Sequence, residues 1–164
     1  MKCSLLTKSK FAKPTRWSLR HHLNTPTYFK NLICLLGDAA HASTPHQGAG
    51  AGQCLEDALI LSHLLALVSR SQSHPDDCAV NINLAFEAYD YVRRPRAQKV
   101  VNTSDDAGKM YCFADPECRN DVKKIVTNAR ERFGWIWEVD LVEEMQGAER
   151  RFKEFWEDSR RGLR

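Results

Sequence analysis

The chain has 164 residues, of which 43% are apolar and 27% charged, and its formal net charge at pH 7 is +3. This length supports one hydrophobic core, so we expect one domain, or part of a larger one, rather than two domains. The weak positive charge does not favour a nucleic-acid-binding protein, and we find no apolar run long enough for a membrane span or a secretory signal. We therefore predict a cytoplasmic protein that binds neither nucleic acid nor a membrane.

The amino-terminal part of the chain is basic. Residues 1–37 contain seven Lys or Arg and no acidic residue. We interpret residues 1–12 as a basic tail, although an acid-poor start is also typical of a transit peptide. Next, TRWSLRHHL at 15–23 alternates polar and apolar residues, which predicts a strand. TPTYFKN at 25–31 predicts a turn held by an aromatic residue, and the uninterrupted run LICLL at 32–36 predicts a strand covered on both faces.

A glycine-rich loop follows this run and leads into a predicted helix through Gly48, Gly50 and Gly52. The N–H groups of a first helical turn point outward with the positive end of the helix dipole behind them, and they stabilise an anion. Glycine also lets a ligand approach the backbone and permits a positive φ. Asp38 lies at the carboxyl end of the predicted strand, where open α/β sheets bind cofactors, and its carboxylate can accept hydrogen bonds from hydroxyl groups. The alternative is a helix cap that serves packing only.

The remaining sequence predicts helices. Apolar residues at helical spacing over 54–70 predict a helix buried on a broad face that includes Leu55 and Leu59. A break at 71–77 precedes a second helical stretch over 83–111, with a kink or boundary at Arg94-Pro95. After a loop at 111–121 we predict a short helix over 121–133, an aromatic turn over 134–141 and a final helix over 147–161. That last helix is amphipathic, with Phe152, Phe155 and Trp156 on one side.

The cysteines and histidines do not form a metal-site motif. The six cysteines include no CxxC pair and no zinc spacing, so we expect neither a metal nor a disulfide, and Cys34 and Cys54 resemble packing thiols. We interpret the four histidines that precede the predicted helix as loop residues, since no acid or thiol completes a ligand set: His21, His22, His41 and His46. We also expect Arg93, Arg94 and Arg96 to bind nearby carboxylates or carbonyls rather than to form an anion site.

The string GDAAHASTPHQGAGAGQCLEDA at 37–58 resembles the second FAD-contacting motif of the class A flavoprotein monooxygenases. This family includes para-hydroxybenzoate hydroxylase and salicylate hydroxylase, and the resemblance is greatest to the salicylate hydroxylase-like branch. RWSLRHHL and TYFKN before the motif, and YDYVRRPRAQKVVNTSDDAG and GWIWEVDL after it, extend the resemblance over about residues 13–141. It implies the carboxyl-terminal part of an FAD/NAD(P)-binding Rossmann-type α/β domain, here mostly α-helical with a few strands.

The resemblance also implies roles for residues of the glycine loop. Asp38 would hold the ribityl chain of FAD, and Pro45 would lie beside the reactive edge of the flavin ring. The amides around Gly50, Ala51 and Gly52, with Gly48 before them, would face the pyrimidine side of the ring. His46 borders the ring position and is the candidate catalytic residue, although we expect it to shape the loop.

The reaction implied by the resemblance is hydroxylation of a small aromatic, salicylate-like substrate with NAD(P)H and O2. Family members also carry a GxGxxG loop for the FAD pyrophosphate and an Asp-Gly nucleotide motif, and this sequence contains neither. We therefore expect a carboxyl-terminal portion of a monooxygenase that holds FAD poorly and is inactive alone. The other half would be encoded upstream or supplied by a complementary N-terminal polypeptide.

The domain plan that follows has four parts. Residues 1–12 form the basic tail, 13–31 a remnant of a substrate-domain strand and turn, 32–111 the FAD-binding strand, loop and helices, and 112–164 a helical region. A function of a different class is also open: a catalytically dead helical module derived from this fold, whose sheet edge and apolar faces bind a partner.

Overall fold

The structure is a computed structural model that describes residues 18–22, 24–71 and 77–162. Within these ranges two short strands precede a set of helices, which confirms the predicted mostly helical fold with a few strands. The elements are β1 Phe29–Lys30, β2 Ile33–Cys34, α1 Asp38–His41, a 3-10 helix Pro45–Gln47, α2 Gly50–Ser71, α3 Asp77–Tyr111, α4 Val122–Trp137 and α5 Leu141–Arg160. The basic tail 1–12 and part of the predicted strand at 15–23 lie outside the described residues. Residues 18–22 of that stretch form no strand.

The hydrophobic core lies between α2, α3 and α5, each of which packs against the other two. On α2 the core residues are four apart and therefore on one face, and all are at most 2% exposed: Ile60, Leu64 and Val68. Phe152 and Phe155 of α5 are buried against them, with Trp156 packed at the edge of the same cluster. The predicted apolar side of the last helix is confirmed.

The two strands form an antiparallel hairpin in which Phe29 lies opposite Cys34 and Lys30 opposite Ile33. The prediction that the run 32–36 is covered on both faces is wrong, because Leu32 and Ile33 are 54% and 71% exposed. In the described part of the chain β2 has only β1 as a neighbour, so nothing there covers its second edge.

The aromatic residue predicted to hold the turn is Tyr28, which is fully buried. Its backbone N–H donates to Asp90 Oδ1 at 2.7 Å, and its hydroxyl oxygen accepts a hydrogen bond from Gln98 Nε2 at 2.9 Å. Both partners belong to α3, so this one residue attaches the hairpin to the longest helix. Burial raises the pKa of the Tyr28 hydroxyl, which therefore stays protonated at neutral pH.

The long helix α3 continues through Pro95, so of the kink or boundary predicted at Arg94-Pro95 the boundary is wrong. A proline inside a helix costs about 3 kcal/mol, since it lacks an N–H and its ring crowds the preceding turn. Here the neighbouring turn is fixed by charged contacts, because Arg93 and Arg94 both pair with carboxylates. These contacts, with the complete burial of Tyr89 before Pro95 and of Ala97 after it, offset the cost of the proline.

The boundaries of the last two helices also differ from the prediction. Residues 134–137, predicted as an aromatic turn, belong to α4, and α5 begins at Leu141 rather than at residue 147. Ile136 is 3% exposed, and its burial outweighs the cost of Gly134 within a helix, about 1 kcal/mol. Asp140 then caps α5, since its side chain accepts hydrogen bonds from two amides of the first turn.

Helix α2 is long and apolar enough, over Gly50–Arg70, to cross a membrane by length and composition alone. Our expectation that no apolar run reaches that length is wrong. In the fold this helix packs in the core and buries charged groups on its inner face, Glu56 and Asp57. Because these polar side chains occupy inward positions, Leu55 and Leu59 are 73% and 38% exposed, contrary to their predicted burial.

We expect Phe152→Ala to lower the free energy of unfolding by about 3 to 5 kcal/mol, because it leaves a cavity between α2 and α5. Urea denaturation of the full chain, followed by circular dichroism, measures this loss. Phe113→Ala is the matched control, since Phe113 is 62% exposed and its replacement should cost no more than about 0.5 kcal/mol. Equal losses for the two variants would contradict the assigned core.

Candidate flavin site

The loop before α2 and the first turn of α2 enclose a cleft of about 710 Å³. Its lining contains five of the six residues predicted to bind the cofactor: Asp38, Pro45, Gly48, Gly50 and Ala51. Ser43, Thr44, Cys54 and Leu55 complete the lining. The sixth predicted residue, Gly52, faces a separate apolar groove between α2 and the junction of α4 and α5.

The first turn of α2 presents free backbone amides. The helix begins at Gly50, and the first of its hydrogen bonds runs from Gln53 N to Ala49 O at 3.0 Å. The N–H groups of Gly50, Ala51 and Gly52 therefore have no acceptor within the helix. With the positive end of the dipole of a 22-residue helix behind them, they can stabilise negative charge at this end of the cleft.

Glycine serves a different purpose at position 48 from the one it serves at position 50. Gly48 has φ +60°, so the loop uses the left-handed region here and not at Gly50 or Gly52. At Gly50 an added Cβ would meet only Ser43 Oγ, at an ordinary 3.7 Å. Neither backbone conformation nor internal packing therefore requires glycine at position 50. The missing side chain leaves room on the cleft side, which fits a ligand seated against the backbone.

Asp38 begins the four-residue helix α1, and its exposed side chain borders the cleft. No described cation forms an ion pair with it, so the carboxylate is available to hydroxyl groups of a ligand. Gly37 before it has φ +58° and ψ −136°, a conformation open to glycine. A Cβ at Gly37 would lie 2.7 Å from Cys54 Sγ, so the turn packs directly against α2.

His46 does not line the cleft. Its ring packs against Gly108 of α3, where an added Cβ would come within 2.6 Å of a ring carbon. Its Nδ1 lies 3.0 Å from Thr44 Oγ1, and Ser104 Oγ in turn donates to the Thr44 carbonyl oxygen at 2.6 Å. These contacts hold the loop against α3 and support a role in shaping the loop.

Helices α2 and α3 share a buried polar cluster whose acidic members, Glu56 and Asp57, were not predicted from the sequence. Arg93 of α3 is 1% exposed and donates to Asp57 Oδ1 at 2.8 Å, Glu56 Oε2 at 2.5 Å and Gln53 Oε1 at 2.8 Å. Arg96 adds two hydrogen bonds to Glu56, at 2.8 and 3.0 Å. The expectation that the arginine cluster binds carboxylates and carbonyls is confirmed.

Asp57 connects this cluster to the loop that carries Asp38. Its Oδ2 accepts a hydrogen bond from Gly37 N at 3.0 Å and lies 2.5 Å from His41 Nε2. His41 is 3% exposed at the end of α1, so its prediction as a loop histidine is wrong. Burial alone would raise the pKa of the Asp57 carboxyl, but the hydrogen bond from His41 and the charge of Arg93 together lower it.

The described residues bring together no group of three or more His, Cys, Asp or Glu side chains that could hold a metal ion. The cysteines in these ranges are free thiols. Burial, with Asp57 and Asp90 nearby, raises the pKa of Cys34 to about 12, and burial raises that of Cys54 as well. Both therefore stay protonated at neutral pH and are poor nucleophiles, as expected of packing thiols.

We expect Gly37→Ala to destabilise the fold by about 1 to 3 kcal/mol for the strained backbone alone, with the close approach of Cys54 adding to the loss. Gly52→Ala is the matched control, because Gly52 has no positive φ and nothing lies within 4 Å of an added Cβ. It should raise stability by about 0.5 to 1 kcal/mol, as expected for Gly→Ala in a helix. Urea denaturation compares the two, and a neutral Gly37→Ala would contradict the assigned turn.

The lowered pKa of Asp57 predicts a specific acid dependence of stability. Its carboxylate stabilises the fold above its pKa in the unfolded chain, about 3.9, and this contribution is lost as pH falls through the lower folded value. Asp57→Asn should cost about 3 kcal/mol at neutral pH, and the gap to wild type should shrink below about pH 4. Urea titrations over this range test it, with Asp106→Asn as control, because the Asp106 side chain is half-exposed and pairs with the equally accessible Lys109. A constant gap would contradict the prediction.

Comparison with known proteins places these features in a family. The family model described as FAD binding domain matches residues 4–104. An FAD-dependent monooxygenase of Gibberella moniliformis is 42% identical over 138 residues, which cover 84% of this chain and 31% of the relative. A salicylate hydroxylase of Pseudomonas putida is 42% identical over 144 residues, which cover 88% of this chain and 31% of the relative.

A solved structure described as a salicylate hydroxylase substrate complex superposes with a TM-score of 0.68 at 43% sequence identity. The match covers 76% of this chain and 29% of that one. The chain thus spans about three tenths of the length of the curated relatives that it matches. These findings confirm the resemblance that was based on the glycine motif. Since the family model matches residues 4–104, more than half of the chain and all of the cleft lining, the chain belongs to the FAD binding domain family.

Proposed function

We propose that this chain binds the flavin part of FAD in the cleft at the start of α2. The observation that carries the proposal is that one cleft of about 710 Å³ contains both an exposed carboxylate, Asp38, and the free amides of a helix start. The first group suits the hydroxyls of a ribityl chain. The second suits the electron-rich side of a flavin ring, which becomes negatively charged on reduction.

The residues of the cleft would have two roles: to bind the ribityl chain and to stabilise negative charge on the ring. Asp38 accepts a hydrogen bond from a ribityl hydroxyl, while the amides of residues 50–52 stabilise charge on the pyrimidine side of the ring. Pro45 and Leu55 add apolar surface that excludes water. FAD itself, when bound, supplies the electron transfer from a nicotinamide and the reaction with O2, and the protein orients it.

We further propose that the activity served by this site is NAD(P)H-dependent hydroxylation of a small aromatic, salicylate-like compound, in the cytoplasm. The relatives named salicylate hydroxylase support this assignment, since they are about two-fifths identical over most of this chain. Asp38, Pro45, Gly48, Gly50 and Ala51 lie on one cleft, and Gly52 contributes through its amide. His46 lies outside the cleft lining and supports the loop through its contacts with Thr44 and Gly108.

We expect riboflavin, FMN and FAD to bind the chain with affinities within a few fold of one another. The lining of the cleft contains no Lys or Arg, and the sequence has no GxGxxG loop, so neither phosphate nor adenine gains a strong contact. Titration of each flavin, followed by its fluorescence, measures the three dissociation constants. FAD binding more than a hundredfold tighter than riboflavin would contradict a site for the ring and ribityl chain alone.

Asp38→Ala should weaken riboflavin binding roughly tenfold to a hundredfold, because a hydrogen bond to a charged group contributes about 1.5 to 3 kcal/mol. Asp158→Ala on α5 is the control, since α5 does not line the cleft. Circular dichroism verifies that both variants fold. An unchanged dissociation constant for Asp38→Ala would remove this residue from the site.

A second candidate function is the binding of another polypeptide, such as a complementary one with a GxGxxG loop. An apolar groove of about 410 Å³ favours it. Four of the residues that line this groove are large, apolar and exposed: Leu55, Leu59, Trp137 and Leu141. A folded chain that binds none of the three flavins would favour this function over the first.

A further inference from the structure

The four-residue helix α1, which carries Asp38, cannot fix its own position. A single helical turn is unstable in isolation, so its orientation must come from contacts with the rest of the fold. Two contacts reach it from the amino-terminal side, His22 N to Ala42 O at 2.8 Å and Thr25 Oγ1 to Ala40 O at 3.0 Å. Both end on backbone carbonyls near the end of the turn.

Asp57 is the contact that reaches both ends of α1 from the core. Its Oδ2 binds Gly37, immediately before Asp38, and also His41, three residues after it. One carboxylate oxygen thus contacts the residue before Asp38 and the last residue of α1. Asp57 has no exposed surface, so solvent cannot replace these hydrogen bonds when they are lost.

The other oxygen of Asp57 is held by the guanidinium of Arg93, from Nε at 2.8 Å. This ion pair keeps the buried carboxylate charged and fixes its orientation. Asp57 also belongs to α2, two turns after Gly50, so a rigid helix sets its distance from the free amides. The same residue therefore relates the two parts of the cleft: Asp38 on α1 and the amides at the start of α2.

We propose that Asp57 is a positioning residue of the flavin site, which acts through Asp38 by holding Gly37 and His41. The inference rests on the proposed function, which supplies its ligand, whereas the contacts of Asp57 with Gly37 and His41 are independent of that function. It predicts that riboflavin affinity depends on Asp57 only while Asp38 is present. A residue that served stability alone would affect binding regardless of Asp38.

A double-mutant cycle with riboflavin tests this on the full chain. Asp57→Asn should raise the dissociation constant about tenfold, and should have no further effect when combined with Asp38→Ala. Glu56→Gln is the matched control, because Glu56 shares Arg93 with Asp57, while its hydrogen bonds among the described residues go to α2 and α3 and not to α1. It should leave the dissociation constant within about twofold of wild type. Additive effects of Asp57→Asn and Asp38→Ala would overturn the proposal.

Hydrogen exchange in the absence of any flavin provides an independent readout. Asp57→Asn should accelerate exchange at residues 37–42 more than in α5, where exchange reports the global loss of stability, whereas Glu56→Gln should accelerate the two segments alike. Exchange at 37–42 that is accelerated no more than in α5 would overturn the role of Asp57 at α1, whatever flavin does. Faster exchange in a protein whose wild type binds no flavin would instead overturn the proposed function and, with it, the flavin part of this inference.

A second variant guards against a failure of Asp57→Asn to fold. His41→Leu removes one of the two contacts to α1 and leaves the ion pair between Asp57 and Arg93 in place. It should give the same non-additive pattern with Asp38→Ala, with a smaller change in the dissociation constant. A full additive effect for His41→Leu would also overturn the proposal.

Discussion

The geometry of the cleft depends on the buried ion pair between Asp57 and Arg93. Both side chains are at most 1% exposed, and removal of two charges from water costs several kcal/mol for each. The pair is tolerated because both groups are extensively hydrogen-bonded, with Gly37, His41 and Glu56 among the partners. An apolar replacement of both residues could match their stability. It could not provide the directed hydrogen bonds that place α1.

The long helix α3 provides the frame to which the separate loops of the site are attached. Asp90 binds the turn before β1, Arg93 reaches Asp57 under α1, Ser104 holds the Thr44 carbonyl, and Gly108 receives the His46 ring. These positions extend over about 27 Å at 1.5 Å per residue. These four residues keep fixed distances from one another only if α3 is continuous. An interruption at Pro95 would therefore displace the loops that α3 holds.

Local patterns in the sequence predicted the parts of the fold that local physics determines. Helical spacing located α2 and the buried side of α5, and the alternating glycines located the cleft. The exposure of Leu55 and Ile33, the continuation of α3 and the start of α5 could not be predicted in this way. They depend on neighbours distant in the chain. The partner of Asp57 could not be predicted from local patterns either. An acid within an apolar helix indicates a buried partner, but that partner, Arg93, is 36 residues away.

The charge pattern of the cleft indicates which part of a dinucleotide it suits. Its one charged lining residue is the carboxylate of Asp38, which would repel a phosphate, and the described lining contains no cation to offset it. Hydroxyl groups, in contrast, can donate to this carboxylate without bringing charge of their own. The amides at the start of α2 favour electron density at the other part of the site. A neutral polyol joined to an electron-accepting ring satisfies both conditions, whereas a pyrophosphate satisfies only the second.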